Sequence, residues 1–115
     1  MARHGAGEFD RAARFYARAL RLVPEEPNAL NLSGVLARQQ GDAARAAALT
    51  ARALALRPDS PVFLASHGAS LAELGRAEEA VPLLRRALAA RPGDAVSHRN
   101  LGQALLALGH VAEAL

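Results

Sequence analysis

Laid against itself at an offset of 34 residues, the chain returns the same residue types at the same places. Gly7, Gly41, Gly75 and Gly109 form one series, and Ala12, Ala46, Ala80 and Ala114 another. Ala19, Ala53 and Ala87 recur with Leu20, Leu54 and Leu88; Pro24, Pro58 and Pro92 follow, then Gly34, Gly68 and Gly102. A fixed period of this length marks a stacked array, because one supersecondary unit this small cannot bury its apolar face without a neighbour.

The unit is helical. The chain holds 29 Ala and 19 Leu against 6 Val, 1 Thr and no Ile, so strand-favouring residues are scarce and the best helix formers dominate. Gly34, Gly68 and Gly102 fall mid-helix. A glycine there costs about 1 kcal/mol of helix propensity relative to alanine, so its recurrence implies a close helix crossing that a larger residue would force apart. The series from Gly7 to Gly109 falls where a helix must end and reverse, a place that favours left-handed backbone. Proline recurs just past the second helix of each unit, where it cannot continue the helix. Ser60 before Pro61, Glu26 before Pro27, and Asp94 supply the matching start signals. Together these predict helices at roughly 8–22, 27–40, 42–56, 61–74, 76–90 and 94–108, with a stub at 110–115. Pro82, early in the fifth, implies a bend but no break.

Leu64, Gly68, Leu71, Gly75, Ala80, Leu84, Ala87 and Pro92, with Leu101, Gly102, Leu105, Gly109 and Ala114, resemble the tetratricopeptide repeat motif along nearly the whole chain. The resemblance implies an all-α fold. Each repeat would pair antiparallel helices A and B, and the pairs would stack into a right-handed superhelix with A helices lining a concave groove. On that register, 8–26 is the B helix of an incomplete first repeat, 27–60 and 61–94 are complete repeats, and 95–115 is an incomplete last one. Ser33 and His67 stand where leucine is usual, Ala37 replaces a larger residue and Thr50 an aromatic or leucine, so the 27–60 repeat is expected to pack loosely.

No cysteine is present, which removes disulfides and thiolate chemistry but leaves the compartment open, with the cytoplasm as default. No run of about 18 apolar residues lacks a charge, so no membrane partner is expected. All 14 basic residues are arginine and the net charge is +3. Together with the alanine excess, this arginine usage fits GC-rich coding. The 11 acidic residues are interspersed with the arginines, a mixed surface that does not suit nucleic acid. Ser66, His67, Ser70 and Glu73 lie within two helical turns, but His67 falls at a repeat core position and is expected to be packed. His98 and His110 lack ligand spacing, and no glycine-rich loop precedes a lysine. No metal, cofactor or catalysis is expected.

The resemblance places Asn28, Asn31, Val35, Arg38 and Gln39 on the groove, then Val62, Ala65, Ala69, Ala72 and Glu73, then Val96, Arg99, Gln103, Leu106 and Ala107. An alanine floor leaves room for a ligand's side chains. Amides such as Asn31 and Gln103 can bond an extended peptide's backbone, and Arg38 and Arg99 can pair with carboxylates, so the expected partner is a protein or extended, partly acidic peptide. The same faces would also suit a scaffold whose partner docks elsewhere. Members of the family that grip chaperone C-termini use a lysine, asparagine and arginine clamp, and Val35 and Val96 break it. Arg18, Arg52 and Arg86 form a convex ladder expected to make ion pairs, with Glu78 and Glu79 nearby. The region of Leu101, Leu105, Leu108 and Val111 is a candidate for self-association. An alternative reading is a regulatory or substrate-delivering segment fused to an enzyme, as in arrays preceding O-GlcNAc-transferase-like or sulfotransferase domains of bacterial proteins. The asparagine ladder of such transferase grooves is met here by Asn100 alone.

Overall fold

A computed structural model describes the backbone of residues 2–114 and the side chains of residues 8 and 10–109. Six helices follow one another: α1 (Ala2–Leu22), α2 (Pro27–Gln39), α3 (Ala43–Leu56), α4 (Pro61–Glu73), α5 (Ala77–Ala90) and α6 (Ala95–Ala114). Each packs against its sequence neighbours, and α2, α4 and α6 also lie side by side as the A helices of successive repeats. The described residues contain no strand.

Helix starts follow the sequence signals closely. Glu26 accepts from the Ala29 N–H, Ser60 from Phe63 and Asp42 from Arg45, so each satisfies a donor that the first turn leaves open. At α6, Asp94 accepts from the Ser97 hydroxyl at 2.7 Å, and this bond holds its carboxyl below the usual range. The turns after α2 and α4 reverse at Gly41 (φ 88°) and Gly75 (φ 79°), in left-handed backbone that alanine would strain.

Two turn glycines behave differently from expectation. Gly7 lies inside α1, which starts at Ala2 rather than near residue 8, and Gly109 lies inside α6, which runs on to Ala114 with no separate stub. Gly109 does not take the left-handed backbone of Gly41 and Gly75, and α6 continues through it to Ala114.

The core is a row of interlocked contacts. Leu30, Ala53 and Phe63 form one buried cluster with Leu20, Leu49 and Leu54 around it. Leu71, Ala77, Ala80, Val81, Leu84 and Ala104 form the next, with Leu101 and Leu108 packed on its edge. Gly34 and Gly68 sit at the close crossings: a Cβ on Gly34 would lie 2.7 Å from Thr50 Cγ2, and one on Gly68 2.8 Å from Leu84 Cγ. Gly102, third in that series, has nothing within 4 Å of such a Cβ. Pro82 lies within α5, which runs unbroken to Ala90.

The loosely packed repeat is also visible. Ser33 and Ala37 help to line a partly open cavity of about 170 Å³ between α1, α2 and α3, and the Ser33 hydroxyl is buried without a partner.

Candidate partner-binding groove

The A helices present one continuous face, and burial along it varies with repeat position. Asn28, Gln39, Glu73, Arg99 and Gln103 are exposed, Val35, Arg38 and Ala65 are half-buried, and Asn31 and Ala69 are buried. Asn31 therefore is not the open amide expected. Only 4% of it remains exposed, with Oδ1 accepting no hydrogen bond. The equivalent Arg99 on α6 is exposed.

Arg38 and Glu73 meet each other. Arg38 Nη1 donates to Glu73 Oε1 at 3.2 Å, tying the ends of α2 and α4 together across the groove. This occupies the arginine that was read as a carboxylate receptor. Arg99 makes no ion pair among the described residues and remains the groove's available cation.

Between α4 and α6 the groove deepens into a pocket of about 120 Å³. Ala69, Ala72, Ala104 and Ala107 give it a small-residue floor, and Glu73, Asn100 and Gln103 stand on its walls. Asn100 and Gln103, three residues apart, share one face of α6. Asn100 was absent from the groove positions chosen by resemblance, although its place before the leucine-glycine pair and its spacing from Gln103 were available signals. The floor leaves room for about four waters, hence for one short side chain.

The cluster of Ser66, His67, Ser70 and Glu73 disperses. The Ser70 hydroxyl donates to the Ser66 carbonyl at 3.0 Å, and Glu73 turns to Arg38. His67 is half-buried with Nδ1 2.9 Å from Thr50 Oγ1, which itself lies 2.9 Å from the Ala46 carbonyl. Burial, then the Arg76 charge, lowers the His67 pKa, and Glu79 opposes them weakly. The imidazole is thus held neutral and packed. Among the described residues no three His, Cys, Asp or Glu side chains converge as metal ligands. His98 Nε2 lies 2.7 Å from the Pro92 carbonyl of its own linker, and the His110 side chain lies outside the described residues.

On the convex side, Arg52 and Arg86 clip the linkers. Arg52 donates to the Pro24 carbonyl at 3.0 Å and lies 3.7 Å from Glu25; Arg86 donates to the Pro58 carbonyl at 3.2 Å and to Asp59 at 3.3 Å. Both span nearly one repeat backwards. Their partners are the linker acids and carbonyls rather than Glu78 and Glu79, the latter being held by Arg76 in a two-pronged pair.

Comparison with known proteins agrees with this architecture. Tetratricopeptide repeat family models match residues 2–61 and 71–115. Solved structures with the same fold include the first such domain of Spaghetti (RPAP3) bound to the HSP90 peptide SRMEEVD, at 22% identity, 92% of this chain, 84% of that one and a TM-score of 0.82. The Sgt2 domain from Aspergillus fumigatus is 17% identical over 97% of this chain and 76% of that one, with a TM-score of 0.84. A Thermobaculum terrenum O-GlcNAc transferase mutant is 31% identical over 89% of this chain but 20% of its own length, with a TM-score of 0.76. A search of curated proteins gave no match.

Proposed function

Because the chain belongs to the tetratricopeptide repeat family, we propose that it is a non-catalytic interaction scaffold that takes an extended peptide segment in its A-helix groove. The observation that carries this reading is the alanine-floored pocket between α4 and α6 with Asn100 and Gln103 on its wall. Two amides on one face can bond a peptide backbone whatever its sequence, and the floor admits a short side chain beside them. Arg99, one residue from Asn100 and without an ion pair among the described residues, supplies the preference for an acidic residue in the ligand. Arg38 does not, since Glu73 already holds it.

The likeness to a domain bound to an HSP90 peptide is one of fold, and it does not carry that ligand across. Val35 is half-buried and Val96 is 49% exposed, and neither offers the polar group that a carboxylate clamp requires. The test is to pan a displayed peptide library on the chain and re-measure the selected peptides against N100A/Q103A. Loss of the two amide bonds should weaken binding roughly tenfold. Peptides that bind the double variant unchanged would show that the groove is not the site.

A second reading draws on the 31% identity to the transferase array. There the same groove would deliver a substrate segment to a catalytic domain joined to it, and the peptide selected above would be part of that enzyme's substrate.

A further inference from the structure

Two clefts lie one repeat apart, each between two B helices and the A helix that joins them. The first is the cavity of about 170 Å³ between α1, α2 and α3, with Ala13, Ala17, Ser33, Ala37, Gln40 and Asp42 on its walls. The second, between α3, α4 and α5, is more open and is lined at the equivalent positions by Ala47, Ala51, His67, Leu71, Leu74 and Arg76. Its recurrence at the repeat period makes the cleft a property of the repeat. None of the groove positions on α2 lines the first one.

The cause is the residue beside the crossing glycine. Ser33 and His67 stand where the repeat usually has leucine, and a leucine there turns inward: at the third equivalent position Leu101 packs on the Leu84 cluster. Leu108 packs there as well, so both leave the patch that was read as a self-association surface, and the Val111 side chain lies outside the described residues.

The two clefts differ in how their polar group is satisfied. His67 Nδ1 lies 2.9 Å from Thr50 Oγ1. Ser33 Oγ is buried and has no hydrogen-bond partner among the described residues. A helical serine can donate to the carbonyl four residues back, as Ser70 does to Ser66, but Ser33 makes no such bond and leaves its hydroxyl to the cavity. Leu20, Leu36 and Leu49 complete an otherwise apolar lining, and the charges of Asp42 and Arg45 offset each other, so the space suits a neutral occupant. A cavity of about 150 Å³ walled by apolar side chains admits a benzene ring. A rigid ring also loses little conformational freedom on entering it.

We propose that the cavity between α1, α2 and α3 is a binding site for a small neutral phenol, one ring carrying one hydroxyl, whose O–H donates to Ser33 Oγ while the ring lies among the alanines and leucines.

Phenol and benzene are the probes, titrated into the full chain while amide shifts are followed by NMR. Phenol should bind saturably and shift the amides of Ala13, Ser33 and Leu49. Ser33→Ala keeps the space and removes the hydroxyl, so phenol should weaken roughly tenfold and benzene change by less than about twofold. Ser33→Leu fills the space and should abolish the binding of both, with the circular dichroism spectrum unchanged. Phenol that never saturates would leave the cavity to water alone and overturn the proposal. So would phenol binding that survives Ser33→Leu, or an affinity for phenol that Ser33→Ala leaves unchanged.

Discussion

The three glycines of one repeat series hold the same position in the 34-residue period and have different neighbours in space. Gly68 faces Leu84, whose Cγ and Cδ2 would lie 2.8 and 2.9 Å from an added Cβ, while Gly102 faces nothing within 4 Å. Alanine in place of glycine recovers about 1 kcal/mol of helix propensity at either site, but at Gly68 it also overpacks a crossing at a cost of about 1–3 kcal/mol. Gly68→Ala is therefore expected to lose about 1 kcal/mol net, and Gly102→Ala to gain up to about 1 kcal/mol. Urea unfolding of the two variants at low protein concentration decides this. Equal shifts of the same sign would mean that the crossing at Leu84 relaxes freely. The sequence marked all three glycines as crossing points because the period is blind to whether a partner helix is present. The same blindness assigned a turn to Gly109.

At the scale of the helices, what could be read in advance was whatever has a local cause. Starts at Glu26 and Ser60 depend on a side chain and an N–H three residues away, and both are written in the sequence. The turns at Gly41 and Gly75 are likewise local. Pairings between distant residues were less legible: Arg38 with Glu73, or Arg86 with the Pro58 carbonyl, require the stack to exist before the side chains meet. Loose packing around α2 lies between these cases, since it was inferred from small residues at positions where the repeat favours large ones. Ser33 lines the cavity between α1, α2 and α3 with a hydroxyl that finds no partner, a double defect. Ser33→Leu fills space and removes the unsatisfied group, and should raise stability by about 1 kcal/mol. Thermal melts of the variant check this. A loss would show that the cavity, which Gln40 and Asp42 also line, holds water that Ser33 needs.

In the whole molecule, contacts run almost entirely between neighbouring helices, so stability is a sum along a line and each end has one neighbour fewer. The buried residues of the Leu30 and Leu84 clusters lie on α2 to α5 apart from Ala104 of α6, and each of α2 to α5 packs against a helix on both sides, whereas α1 and α6 each have one sequence neighbour. Amide exchange should follow this order. The Leu64 and Leu71 amides of α4 should be slowest, and those of α6 near Leu105 and of α1 near Phe15 fastest. A groove ligand would change this order. A peptide seated beside Asn100 and Gln103 should slow exchange in α4 and α6 and leave α1 unaffected, and protection that spreads to α1 instead would place the ligand outside the groove.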